Sequence, residues 1–221
     1  LAADPKEAVF GFADLQPSLK GVKMARKCCV AVPALFLVCL LTSCCKPGLI
    51  AGLPVTSHPQ ETNMWCWAGS GQMVMHYLGN NVSQCTQANN RFNRNDCPCS
   101  QCSNPVNNPP CVNGGWPEFD KYGFTFQRTS DTALGWAQLR KELSQNNACG
   151  RTPVAYSWHW NGGGGHMMVA NGYVTVDGIN YVSILDPWAP CQGDARIITY
   201  DAYVSGPGYT HWDDFHKIRR Q

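Results

Sequence analysis

Four short apolar runs, "TPVAYSW", "HMMVANGYV", "INYVSILDP" and "ARIITYDAYV", fill most of residues 151–204, and each is cut off from the next by Gly, Asp or Asn. Such runs between turn formers read as β-strands. Three in succession with short joins suggest an antiparallel meander. The chain before them has another period. In "CWAGSGQMVMHYLG" (66–79) Ala68, Val74, Met75 and Leu78 recur at helical spacing, and Gly79 is placed to stop the helix. "TSDTALGWAQLRKELSQNN" predicts a second helix, capped by Ser130 or Asp131, with Trp136, Leu139 and Leu143 on one face. Between them, "CTQANNRFNRNDCPCSQCSNPVNNPPC" is too rich in Asn, Pro and Cys for a regular element. Helices first and strands afterwards predict an α+β fold with a cleft between the halves.

Thirteen cysteines in 221 residues point to an oxidising compartment. Five of them precede residue 46. "MARKCCVAVPALFLVCLLTSCC" begins at Met24 with Arg26 and Lys27, continues through the uncharged stretch Cys28–Leu41, and reaches "LTSC". That stretch is too short to cross a bilayer as a helix and suits a secretory signal over 24–44. Its end resembles a bacterial lipobox, which would make Cys44 the lipidated residue and the membrane a partner. An ordinary cleaved signal is the alternative. Residues 1–23, with no Met at position 1, are expected to be a non-native leader or over-extended start, and 45–59 a linker to a domain over 60–221. From residue 45 onward there are twelve basic and twelve acidic residues. No basic run remains to follow a phosphate backbone, which excludes nucleic acid as a partner.

Cys66 stands apart from the other cysteines, between Trp65 and Trp67 at the start of a predicted helix. Helix N-terminal N–H groups and the macrodipole favour thiolate over thiol. A nucleophilic cysteine also needs a histidine and a group to orient it. Of six histidines, His166 follows four glycines, Gly165 the last of them, at the head of an apolar strand. His159, in "WHW", ranks second. Asp186 ends the next strand, which brings it to the same end of the sheet as His166, and Trp188 is placed to keep water from a His–Asp hydrogen bond. Trp65 and Trp67 are expected to wall the cleft. The alternative for Cys66 is plain core packing.

Gln60, the "QxxxxWCW" string ending at Trp67, the Gly-preceded His166 and Asp186-Pro187 together resemble the papain-like cysteine peptidase superfamily. The resemblance is closest to its compact bacterial type, which includes plant-pathogen effector proteases and peptidases that process bacteriocin leaders. It implies a nucleophile helix packed on a C-terminal antiparallel sheet. It further implies Cys66 as nucleophile, His166 as general base and acid, and Asp186 as its orienting group. Gln60, with the Cys66 backbone N–H, would form the oxyanion hole, and the substrate would be a peptide or protein. Two departures set the chain apart from lysosomal papain relatives. His166 follows Cys66 by 100 residues rather than roughly 130–150, and no Cys-Gly precedes the nucleophile. A thiol amidase or acyl transferase acting on cell-wall peptides, and a catalytically silent surface-binding module, are the rival functions.

The insert over 85–111 contains "CPCSQC", whose thiolates could in principle bind zinc. It has no histidine, and in an exported chain disulfides are the better expectation. Cys85, Cys97, Cys99, Cys102, Cys111, Cys149 and Cys191 make seven, Cys45 makes eight, and Cys66 is left unpaired. No metal or other cofactor is called for.

Overall fold

The computed structural model describes residues 45–99, 102, 109–145 and 149–221. The signal-like stretch, the expected leader and Cys44 lie outside the described residues. In chain order the elements are β1 (Ile50–Gly52), α1 (Cys66–Tyr77), α2 (Gln84–Phe92), β2 (Phe124–Arg128), α3 (Trp136–Leu143) and β3 (Val154–Trp160). There follow β4 (Gly165–Val176), β5 (Ile179–Asp186), β6 (Asp194–Thr199), α4 (Tyr200–Val204), β7 (Ser205–Gly206) and β8 (Tyr209–Arg220). This is an α+β fold. One antiparallel sheet runs β2-β8-β3-β4-β5-β6, with β1 added to β4 and β7 to β8.

The meander read from the sequence is β3-β4-β5-β6. Its strands lack clean polar–apolar alternation because both faces of the sheet are covered. Along β4, Met167 and Val169 pack on the α1 side with Met73, Met75 and Phe215. Met168 and Ala170 pack on the other side with Leu139, Leu143 and Tyr203. Helix α1 is buried from Trp67 to Met75 and stops as expected, with Leu78 as C-cap and Gly79 at φ +87°.

Five segments differ from expectation, each for a physical reason. Residues 84–92, read as irregular, form α2. Ser83 caps it by accepting from Thr86 N at 3.2 Å, and the helix ends at left-handed Asn93. Its inward face is polar but hydrogen-bonded. Gln87 Nε2 donates to Ala68 O (2.9 Å) and Gln84 Nε2 to Pro59 O (2.8 Å), so no apolar stripe marks it. Helix α3 starts at Trp136, not at a Ser130 or Asp131 cap, because the preceding backbone is tied to β8. Thr129 N donates to Asp214 O, Thr132 N to Trp212 O and Leu134 N to the Asp214 carboxylate.

The second run of "ARIITYDAYV" turns helical after Thr199, whose hydroxyl caps α4 by accepting from Ala202 N. Residues 209–220, beyond the strand runs read over 151–204, form the long strand β8 between β2 and β3. Its Asp213, Asp214, His211 and His216 are buried with partners, and that polarity hid a central strand. The lead-in over 45–59, expected to be a linker, is built into the fold. β1 extends the β4 edge beyond the end of β3, Leu53 is buried, and Arg140 Nη2 donates to Gly48 O at 2.6 Å.

Four disulfides join Cys45 to Cys149, Cys85 to Cys99, Cys97 to Cys111 and Cys102 to Cys191. Among the described residues Cys66 is the free cysteine.

Candidate active site

Cys66 opens α1, where Trp65 O accepts from the N–H groups of Ala68 and Gly69 (both 2.9 Å). These bonds close the first helical turn and make the Cys66 and Trp67 N–H groups the terminal donors of the helix. Opposite stands His166, the second residue of β4. Its Nε2 lies 2.6 Å from Asp186 Oδ1 at the end of β5. The Cys66 side chain shares the cleft with the imidazole and favours its protonated form. Antiparallel pairing of β4 with β5 is what brings residues twenty apart in sequence to one end of the sheet.

Asp186 is held on every side. Oδ1 also accepts from Trp188 N (2.9 Å), and Oδ2 accepts from Arg196 Nη2 (2.9 Å). Burial alone would raise its pKa, but the hydrogen bond and charge of His166, the Trp188 N–H and Arg196 outweigh it and hold the carboxyl below its usual range. Burial likewise works against protonating His166. The Asp186 hydrogen bond, followed by Cys66, wins and raises the imidazole to about 9. At neutral pH the ring is a cation between a carboxylate and a sulfur.

Cys66 and His166 face a cleft of about 310 Å³. One wall is the irregular stretch Gly114-Gly115-Trp116, and the other includes Gly164, Gly165, Met167 and Trp212. Trp116 and Trp212 meet edge to face across it, 4.8 Å between ring centres. Gly165 is required: a Cβ there would come within 2.4 Å of Trp158 O and 3.0 Å of the Trp212 ring.

The remaining candidates are distributed differently from the expectation. Gln60 is buried and is not among the cleft-lining residues. Its Nε2 donates to Thr62 O at 2.7 Å, and Oε1 has no hydrogen-bond partner among the described residues. Trp65 and Trp67 are fully buried core residues rather than cleft walls. Their indole N–H groups donate to Cys111 O and Asn113 O and so anchor the segment that leads to the real wall. Trp188 is 52% exposed, and its backbone N–H donates to Asp186. His159 is exposed, packs on Trp212 and stays out of the cleft. His58 is half-buried and hydrogen-bonded to His76 at 2.8 Å, although it precedes the expected domain.

Sequence reasoning missed Arg196, Trp116, Trp212 and Arg91. "NGGWP" (113–117) offered a signal, a second glycine pair before an aromatic, parallel to the glycines before His166. Arg196 offered none, since its role depends on β6 pairing with β5.

Residues 53–215 match the family described as Peptidase_C39 like. The chain belongs to the Peptidase_C39-like family. That membership makes it a cysteine peptidase, a hydrolase acting on peptides or proteins. No curated protein matches it. A solved structure, described by its bearing on the limited antibody cross reactivity between the mite allergens Blo t 1 and Der p 1, is similar to this family member. The likeness covers 80% of this chain and 73% of that chain, with 12% identity and a TM-score of 0.46.

Proposed function

We propose that this Peptidase_C39-like protein is an exported thiol peptidase that uses Cys66 as nucleophile, His166 as proton carrier and Asp186 as the group that fixes the imidazole. The observation that carries the reading is the chain of contacts Cys66–His166–Asp186 at the mouth of a cleft. In the proposed reaction Cys66 Sγ attacks the scissile carbonyl carbon, and the π electrons move onto the oxygen. His166 then gives its proton to the leaving amine as the C–N bond breaks, which leaves a thioester. Water attacks the thioester, His166 takes a proton from it, and collapse releases the acid and the Cys66 thiolate. The oxyanion is met by the Cys66 backbone N–H. Gln60 has one Nε2 N–H committed to Thr62 O and joins it with the other only when the side chain moves from its buried position to the cleft.

Export is supported by the four disulfides among the described residues and by the apolar stretch after Arg26-Lys27. Lipid attachment at Cys44 rests on the sequence alone.

The test uses the full chain and mass-spectrometric readout of a peptide mixture, with Cys66→Ala and His166→Ala beside it. Cleavage that disappears in both variants supports the reading. Cleavage undiminished in Cys66→Ala sinks it, and cleavage confined to cell-wall peptide amides turns it into the amidase.

A further inference from the structure

Arg91, the penultimate residue of α2, lines the same cleft as Cys66 and His166. Apart from His166 it is the one ionisable cation among the cleft-lining residues, and no carboxylate is among them. Its guanidinium lies 5.5 Å over the Trp67 ring, which supports it from one side. On another side the Gly115 backbone rests against it: a Cβ on Gly115 would sit 2.3 Å from Arg91 Nε. Gly115 is what lets the side chain rise into the wall.

An arginine so placed ordinarily spends its donors on a carboxylate fork. Arg91 does not. Its ionic partner among the described residues is Glu118, at 3.6 Å, a distance too long for a hydrogen bond, and Glu118 is shared with Lys121 at 3.0 Å. A guanidinium has five N–H donors, and the described residues accept none of them. The cleft thus holds a fixed, pre-positioned cation with unused donors, beside an imidazolium and without a counter-charge in the lining.

The geometry points to Arg91 as a specificity-determining residue that selects peptides bearing a carboxylate close to the scissile bond. This rests on the peptidase reading above. A cleft of about 310 Å³ accommodates only a few residues of extended chain at about 3.3 Å each, so the carboxylate lies within about three residues of the cut. Two sources supply that chemistry: an internal Asp or Glu side chain, or the C-terminal carboxylate of a short peptide.

The experiment takes fluorescein-labelled hexapeptide mixtures, each with one position fixed as Glu, Asp, Gln or Lys, in both free-acid and amide forms. Cleavage rates are compared for the wild type, Arg91→Gln, Arg91→Lys, Arg91→Glu and Glu118→Gln. The wild type is expected to cleave the best Glu mixture about 10-fold faster than its Gln counterpart, the scale of one charge-assisted contact. Arg91→Gln is expected to erase that ratio, Arg91→Lys to keep its direction and Arg91→Glu to reverse it toward Lys. Glu118→Gln, which removes the competing charge, is expected to widen it. A ratio that depends on the amide form identifies the C-terminal carboxylate as the source. One that survives amidation identifies the side chain.

Cys66-dependent cleavage with no Glu preference overturns the inference and leaves the peptidase reading standing. If nothing is cleaved, that reading falls, and fluorescence anisotropy of the same mixtures on Cys66→Ala decides the inference alone. Equal binding of Glu and Gln mixtures overturns it.

Discussion

Replacing Asp186 by Asn removes one charge and keeps the shape, so it isolates the electrostatic part of the site. The amide oxygen can still accept from Trp188 N, as the carboxylate does at 2.9 Å. His166 loses the anion 2.6 Å from its Nε2. With charge centres about 4 Å apart and an effective dielectric of about 20, that attraction is worth about 4 kcal/mol, or about three pH units. The imidazole stands at about 9 against an ordinary 6.5, even though burial pulls it down. The carboxylate is the largest cause of the rise, with Cys66 adding to it, and its removal is expected to bring His166 down toward neutrality or below. The assay is a titration of the ring protons by NMR in histidine-labelled protein, with His166 identified by its loss in His166→Asn. The wild type is expected to titrate near 9 and Asp186→Asn at least about two units lower. An unchanged midpoint in the variant, or a wild-type midpoint near the free value, would refute the reasoning. Either result would mean that Asp186 orients the ring without holding its proton.

The same pair predicts a pH dependence of stability. A histidine raised in the folded state stabilises fully below its unfolded pKa of about 6.5 and loses that contribution as pH rises toward 9. Asp186, lowered in the folded state, contributes above its ordinary value of 3.8 and loses that as pH falls through its folded value. Urea midpoints should fall from pH 6.5 to 9 in the wild type, and an equal fall in His166→Gln would contradict this. Gly165→Ala forces a Cβ against the fixed carbonyl of Trp158. A loss of about 1–3 kcal/mol is expected by denaturant titration; an unchanged midpoint would show that the strand pair yields. Asp214→Ala strips the carboxylate from His211 (3.1 Å), from the Leu134 N–H and from the buried Tyr203 hydroxyl. Breaking such a buried set costs about 3–5 kcal/mol, checked by thermal unfolding; a loss below about 1 kcal/mol would show that water replaces the carboxylate.

What could be read from the chain was whatever rests on apolar period or on a glycine with a single use. The Cys66 helix, the three-join meander and the end of α1 at Gly79 all belong there. What could not be read was burial of polar residues. Gln84 and Gln87 on α2, and His211, Asp213, Asp214 and His216 on β8, look like surface by composition. They are interior because they find partners, most of them on distant elements, and pairing across 23 or 85 residues leaves no local trace. The site divides the same way. Cys66, His166 and Asp186 carried local signals, while Trp116, Trp212, Arg91 and Arg196 reach the cleft or its triad through tertiary packing. The two tryptophans around Cys66 misled for a related reason. Neighbours on a helix point to different sides, so residues flanking a cleft-facing cysteine are free to be core.

The catalytic spacing depends on how the start of α1 is fixed to the far end of the sheet, and that fixing is largely backbone. Gln60 N donates to Pro187 O (3.0 Å), and Cys191 N donates to Gln60 O (2.8 Å). These bonds lace the irregular segment before Cys66 to the segment after Asp186. Gly69 lets the helix close on that seam: a Cβ there would meet His58 O at 3.0 Å and Pro187 Cβ at 3.2 Å. The Cys102–Cys191 disulfide then ties the same segment to the insert. Side chains can be exchanged by rotamer changes, but paired peptide groups and a covalent bond cannot, so the sulfur-to-imidazole distance is set before substrate arrives. The cysteine-rich insert thus has a mechanical part in the site without lining the cleft with its own cysteines.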